Sequence, residues 1–367
     1  MYILYLAICI QDCYLYYRYP LKLSRIILIV RDKVSGLLTM NLAKHIDKNA
    51  WYSLQDVLIK SVIAGGTAAM EYYRKPLNNI LEQEAEVDSK NPSTKADLHA
   101  TLAIIHALHD YLEPIVKRLS FNSYSCLAEE TQNVSWFQKK LPKNIFQKIK
   151  TTPDFFANTE DLRIIIDGID GTGNFIRGIP MFCSAAAIII DNRPRISALY
   201  DPVQHLVYSA LLPGPDNDIC LDAEAWEWHI SSNHRIDLTC LNQKQKKSLS
   251  QEAIGIHFTR SLPDKLLEII QSDNSILEKL SRASAGIYAL NSGFIAMSYI
   301  ARNALGAYIN NSTYLWDIAA GEVLIRACGG KVTDFHKNQI LYNSPSRIPV
   351  VVAKEQIYDE LMSLLET

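Results

Sequence analysis

The chain has 367 residues, 48% hydrophobic and 21% charged, with a formal net charge of −2 and a pI near 6.5. That length exceeds what one hydrophobic core usually organises, so two packed subdomains are expected. The near-neutral balance offers no general attraction for nucleic acid or an anionic membrane, so neither is an expected partner. An anionic ligand would have to be drawn locally, by a metal or by oriented amides.

The first 39 residues begin MYILYLAICIQDCYLYY, but Gln11 and Asp12 interrupt the apolar run before it could span a bilayer. A basic start and a small-residue cleavage site, the marks of a secretory signal, are lacking. Residues 1–39 are therefore read as an extension outside the fold, with Met40 as a start point for translation.

From Ala50 to about Arg74, the residues Trp51, Leu54, Val57, Leu58, Val62 and Ile63 recur at helical spacing. A polar stretch follows, broken by Asn91 and Pro92. A second helix is expected over 97–119, with a kink or end near Pro114. Strands are expected at FNSYSC, at 163–166 and 183–190, and as a pair within 195–211 turning at Asp201-Pro202.

Residues 213–250 are polar and irregular and receive no assignment. A boundary there divides the chain into an N-terminal α+β subdomain, 40–215, and a C-terminal α/β subdomain, 216–367. The second part reads as strand IGIHF, a helix at 262–271, a long helix at 282–303 and strand AYIN. The helix of WDIAAGEVLIRACGG follows, closed by Gly329-Gly330, then strands VTDF and IPVVVA and a terminal helix. The seven cysteines are dispersed and contain no CxxC pair, which fits unpaired thiols in a reducing cytoplasm.

The chemistry concentrates in RIIIDGIDGTGNFIRG, residues 163–178. A strand ending in D-x-x-D can curl so that Asp167, Asp170 and the Ile169 carbonyl face one point, an oxygen set that suits magnesium. Gly171 permits close backbone approach, and the Gly171 and Thr172 amides, opening a helix, would face a phosphate. The plain structural alternative is an Asp-Gly turn after a buried strand. Elsewhere Glu129 and Glu130 follow a short strand, Asp97 precedes a helix, and Asp317 opens another. Each alone is an ordinary solvated acid or helix cap.

Taken in order, TKAD (94–97), AEE (128–130), IIIDGIDGTGNF (164–175) and WDIAAGEVLIRACGG (316–330) resemble the inositol monophosphatase family of magnesium-dependent, lithium-sensitive phosphatases. The resemblance runs from about residue 50 to the C-terminus. It implies a layered αβαβα sandwich, a cytoplasmic homodimer and two to three Mg2+ per site. By that resemblance Glu129, Asp167 and the Ile169 carbonyl match the ligands of a first metal, and Asp167, Asp170 and Asp317 those of a second. Asp97 and Thr172 match the pair that activates water, and the Gly171 and Thr172 amides match the phosphate cradle.

The implied activity is hydrolysis of a small polyol or sugar phosphate. A 3′-phosphoadenosine-5′-phosphate or fructose-1,6-bisphosphate phosphatase is the alternative within the superfamily, and a non-catalytic metal-binding scaffold is the alternative outside it. Three departures stand out. Gly168 replaces the family's usual proline, which removes a preset φ and suggests a looser loop. Asn310 stands where inositol-specific members carry a glutamate. Asn291-Ser292-Gly293 replaces the small-residue segment, leaving Ser292 and Asn310 to meet a polyol. Asn174 points to the inositol branch rather than the nucleotide phosphatases. His106 and His109, Cys126 and Cys183, Trp226 and Trp228, and Lys95 are read as ordinary helix, core or solvated residues.

Overall fold

The computed structural model describes residues 48–76, 94–119, 121, 123–132, 134–150, 152–157, 162–213, 222–239, 247–258, 276–343 and 346–366. The extension of 1–39, the polar stretch at 77–93 and the helix expected at 262–271 lie outside them. In chain order the elements begin with α1 (Lys48–Met70), α2 (Lys95–Arg118), β1 (Tyr124–Ala128), a 3-10 turn (Glu129–Gln132), α3 (Val134–Lys140), α4 (Lys143–Phe146) and α5 (Thr152–Ala157). β2 (Leu162–Asp170), α6 (Thr172–Ile176), β3 (Cys183–Ile190), β4 (Arg193–Asp201), β5 (Leu206–Leu211), β6 (Glu224–His229) and β7 (His234–Asp237) complete the first sheet and its connections. The remainder is β8 (Ala253–His257), α7 (Ile276–Ala283), β9 (Gly286–Tyr288), α8 (Gly293–Ala301), β10 (Ala307–Thr313), α9 (Ala319–Ala327), β11 (Gly330–Thr333), β12 (Ile348–Lys354) and α10 (Glu355–Glu366).

β1 to β7 form one sheet in sequence order, and a second sheet runs β11-β12-β10-β8-β9. The first sheet is apolar on both faces, which is why its inner strands read as unbroken hydrophobic runs. Along β2, Ile164 and Ile166 join the core beneath α1 and α2, while Ile165 joins the core on the opposite face. There α8 and α9 pack between the two sheets. The far face of the second sheet is covered by α7 and α10 through Leu280, Ile357 and Leu361. The result is the αβαβα sandwich expected.

Three expectations are corrected. The long helix at 282–303 is instead the end of α7, the strand β9 and α8. Asn291 at φ 52° breaks it, and the Ser292 side chain, accepting from the Ile295 amide, starts the new helix. Pro114 neither ends nor shortens α2, which runs on to Arg118. The unassigned stretch after 213 contains β6 and β7, so the first sheet continues past residue 215 to Asp237. Trp226 and Trp228 on β6 pack at the edge of the core, with the Arg235 guanidinium 4.3 Å and 5.4 Å from their rings. Among the described residues no helix is long and apolar enough to cross a membrane.

Candidate active site

The site grows from the ends of β1 and β2. These strands pair in parallel with Ala128 beside Ile166, so the next residues along, Glu129 just past β1 and Asp167 still within β2, come side by side. In a regular strand residues three apart face opposite sides. Against β3, however, Asp167 pairs with Ala185 and Asp170 with Cys183, so the ladder carries one extra residue on β2 between them. This bulge brings Asp170 back towards Asp167, and each bears on the pit's electrostatics.

Gly168 lies inside this bulge, in a strand rather than a loose loop. A Cβ there would stand 2.4 Å from Thr101 Oγ1 and 2.8 Å from the Asp97 carbonyl oxygen. The Gly168 carbonyl accepts from the Ser184 hydroxyl at 2.6 Å. The expected looseness is therefore corrected: the first turns of α2 press directly onto the strand, and glycine is what admits them. Gly171 follows at φ 88°, where a Cβ would sit 2.8 Å from the Met181 carbonyl. It ends the strand and starts α6. The amides of Gly171 and Thr172 precede the first bond inside α6, from Asn174 N–H to Gly171 O at 2.9 Å.

Asp97 is buried beneath this turn. Its Oδ1 accepts the Thr172 hydroxyl at 2.7 Å, which also lies 2.9 Å from the Ile169 carbonyl. Its Oδ2 accepts from the Thr94 amide at 2.8 Å and from the Thr94 hydroxyl. Burial pushes its carboxyl up to about 6, with the Thr94 and Thr172 bonds pulling the other way. Glu130, also buried, accepts from the Thr101 hydroxyl at 2.8 Å. Burial and the neighbouring Glu129 and Asp97 hold it well above the usual range.

From the second half of the chain come the partners of Asp170 and a further acid, Asp317. Asp170 accepts from the amides of Gly293 at 3.1 Å and Phe294 at 2.8 Å and from the Ser292 hydroxyl, and so caps α8. Its carboxyl is raised by burial to about 6 despite those bonds. Asp317 lies in a 3-10 turn (Leu315–Asp317) ahead of α9 rather than opening that helix. It accepts from the Tyr314 amide at 2.9 Å and the Thr313 hydroxyl at 3.0 Å. Burial raises it, while the Arg347 guanidinium opposes.

Asp167 is the telling residue. It is fully enclosed, and its Oδ1 has no hydrogen-bond partner. Burial raises its carboxyl strongly, and the charges acting on it are all negative: Asp170, Asp317, Glu129 and Glu130. A bare carboxylate oxygen amid other acids is costly unless a cation joins it. The donors are hard oxygens, the set that magnesium takes. Among the described residues no three His, Cys, Asp or Glu side chains stand together as a ready cluster, and Asp170 and Asp317 are engaged in capping bonds. In donor chemistry and in the unmet need of Asp167, the pit fits a divalent cation.

Several residues named from the sequence have partners that their spacing did not show. Asn174 donates to the Met181 carbonyl at 2.8 Å and the Leu290 carbonyl at 2.7 Å, joining α6 to the segment before α8. Its amide is thus explained by two carbonyl partners, which a carboxylate could not serve. Asn310 donates to the Tyr308 hydroxyl at 3.2 Å and accepts from the Ser312 amide at 3.0 Å. Tyr308 lies near the acids, which help hold its hydroxyl protonated. Glu130 was named beside Glu129, but its bond to Thr101 was not visible in the sequence. Ser292 is placed on Asp170, as described.

The sequence profile described as the inositol monophosphatase family matches residues 51–367. A protein named Nus factor SuhB from Pasteurella multocida (strain Pm70) is 24% identical over 206 residues, 56% of this chain and 68% of that protein. The solved extragenic suppressor protein suhB of Bartonella henselae superposes with a TM-score of 0.61 at 19% identity, over 86% of this chain and 99% of its own. An IMPase/NADP phosphatase solved with Mg2+ and phosphate gives 0.59 at 14% identity, over 86% and 95%. At these identities the structural likenesses speak for the fold.

Proposed function

Because the chain belongs to the inositol monophosphatase family, we propose that it is a magnesium-dependent phosphomonoesterase acting on a small polyol or sugar phosphate. The observation that carries this reading is the Asp97–Thr172 pair set beside the partnerless Oδ1 of Asp167. A protein that only bound metal would have no use for a buried carboxylate holding a threonine hydroxyl at the rim of the pit.

Glu129, Asp167, the Ile169 carbonyl, Asp170 and Asp317 would hold two to three magnesium ions. When bound, these would supply a nucleophilic hydroxide and neutralise the phosphoryl and leaving oxygens. The chain's own work is orientation and proton handling. Thr172 donates its single hydroxyl proton to Asp97 Oδ1, which leaves its oxygen lone pairs to accept from an attacking water. The Thr94 amide and hydroxyl fix Asp97 from the other side. With a carboxyl raised to about 6, Asp97 is ionised at neutral pH yet basic enough to draw the proton. The Gly171 and Thr172 amides would face the phosphate, and positioning of this kind carries much of phosphoryl transfer.

The alcohol side differs from an inositol-specific site, since the Asn310 amide already serves Tyr308 and Ser312. Asn174 no longer ranks substrates, because its bonds to two carbonyls account for it. The test is phosphate release from a panel of sugar, polyol and nucleotide phosphates, with and without magnesium, beside Asp97→Asn. Magnesium-dependent turnover lost by at least about a hundredfold in the variant is expected. Equal turnover by both proteins, or none by the wild type on any ester, would defeat the reading.

A further inference from the structure

A cavity of about 340 Å3 lies at the opposite end of β1 from Glu129, within the range of about 300–1,000 Å3 usual for small-molecule sites. It is lined by residues from four places: His109 and Glu113 on α2, Ser123 and Tyr124 where β1 begins, Asn144 on α4, and Gln147, Lys148 and Lys150 beyond it. Residues 148–150 run alongside β1, the Cys126 amide donating to Lys148 O at 2.8 Å and the Lys150 amide to Cys126 O at 3.0 Å. Ile149 packs into the core, so the extended backbone sends Lys148 and Lys150 together to the other side.

The polar groups here are arranged unequally. His109 bonds Tyr124 through Nδ1 at 2.9 Å and Asn144 Nδ2 through Nε2 at 3.3 Å. With the Asn144 amide so oriented, Nε2 accepts and Nδ1 carries the proton. The Tyr124 oxygen then accepts from His109, and the proton of that buried hydroxyl remains to be donated. Lys148 donates to Ser123 and lies 5.1 Å over the Tyr124 ring. Its Nζ is 3.9 Å from Glu113 Oε2, an ion pair too long for a hydrogen bond. That oxygen is buried and has no hydrogen-bond partner. The cavity therefore offers two ammonium groups, a phenol and an amide as donors, and one bare carboxylate oxygen as acceptor.

We propose that this cavity is a second binding site, separate from the acid pit, for a small hydroxylated phosphate ester. The phosphate is held by Lys148, Lys150 and the Tyr124 hydroxyl, and an alcohol of the same molecule donates to Glu113 Oε2. A simple phosphate satisfies the first group only, and a simple polyol the second only.

Calorimetry on the metal-free protein in EDTA tests this, because without cations the crowded acids of the pit repel anions and turnover is absent. The probes are inorganic phosphate, glycerol 3-phosphate and glycerol. One saturable site is expected for both phosphates, glycerol 3-phosphate binding about tenfold more tightly, with no saturation by glycerol. Lys150→Gln, a change on a half-exposed side chain, weakens both phosphates about tenfold. Glu113→Gln removes the preference for the ester while keeping phosphate binding, and Lys95→Gln, two residues before Asp97 at the start of α2, changes neither. No saturable heat from either phosphate in the wild type overturns the proposal. So does phosphate binding unaltered by Lys150→Gln, or an ester that binds no better than phosphate alone. These outcomes do not depend on the hydrolytic activity.

Discussion

Gly168→Ala adds one methyl group at the closest approach of α2 to β2. Its carbon would lie 2.4 Å from Thr101 Oγ1, 2.8 Å from the Asp97 carbonyl oxygen and 3.1 Å from the Thr101 amide nitrogen. The hydroxyl can rotate away, but only by giving up its 2.8 Å bond to buried Glu130. That loss costs about 1–3 kcal/mol, since a buried acceptor is left unsatisfied. The backbone oxygen cannot rotate, and restoring ordinary contact at 3.4 Å moves the first turn of α2 by about 0.6 Å. Overpacking of this kind costs about 1–3 kcal/mol. The opposing gain, a less flexible unfolded chain, is only about 0.4–1 kcal/mol, so the clash wins and a net loss of about 2–5 kcal/mol is expected. Urea unfolding followed by tryptophan fluorescence, in EDTA, reads this directly. Because the displaced turn carries Asp97, phosphatase turnover falls as well. Thr101→Ala in the same chain recovers less than half the stability, since the two backbone contacts persist. A Gly168→Ala protein within about 0.5 kcal/mol of wild type would refute the close approach. Proline at this position brings the same carbon and is expected to do no better.

Asn174→Asp replaces two donors facing two carbonyl oxygens and costs about 3 kcal/mol or more. Thermal melts at pH 7.5 would show it, and an unchanged melting temperature would count against those bonds. Metal-free protein loses stability as pH rises from about 4 to about 6. Below the ordinary carboxyl value of 3.8 the folded and unfolded groups are both protonated, and above it the unfolded chain ionises first. For Asp97 and Asp170, each raised to about 6, the difference corresponds to about 3 kcal/mol apiece. Urea midpoints across that window should fall in wild type and fall less in Asp97→Asn, and parallel profiles would contradict the assignment. Magnesium in millimolar excess removes much of the fall, measured as a rise in melting temperature that EDTA reverses. In the second sheet, Lys354 lies 2.9 Å from Glu252 with both side chains buried. Lys354→Met leaves that buried carboxylate only its longer, 3.8 Å pair with Lys247 and costs about 3 kcal/mol, whereas adding Glu252→Met restores most of it; chemical denaturation of the single and double variants decides.

Where an element's period and its boundaries come from its own residues, the sequence was readable. Cys183–Ile190 was found to the residue because small and apolar side chains fill both faces of an inner strand. The failure at 282–303 has a local cause: apolar spacing continues through the segment, while a positive φ at Asn291 and the cap at Ser292 interrupt it. β6 and β7 were missed because their outward residues are charged or aromatic and only the neighbouring β5 gives them a sheet to join. In the pit, the D-x-x-D spacing was visible but the bulge that makes it useful was not, since a bulge depends on the register of β3. Asn174 and Gly168 were read for flexibility or specificity, and both turned out to answer partners far away in sequence.

Asp170 receives its capping bonds from residues up to 124 positions later in the chain. At translation speeds of about 5–20 residues per second, an emerging polypeptide carries that carboxylate for about 6–25 s before Phe294 exists. During this interval β2 can pair with β1 and β3, yet the wall of the pit formed by α8 is still unmade. The nascent chain therefore passes through a stage in which its most crowded acids are open to solvent and free to ionise. Enclosure, and with it the demand for a cation, arrives only when the ribosome has finished α8.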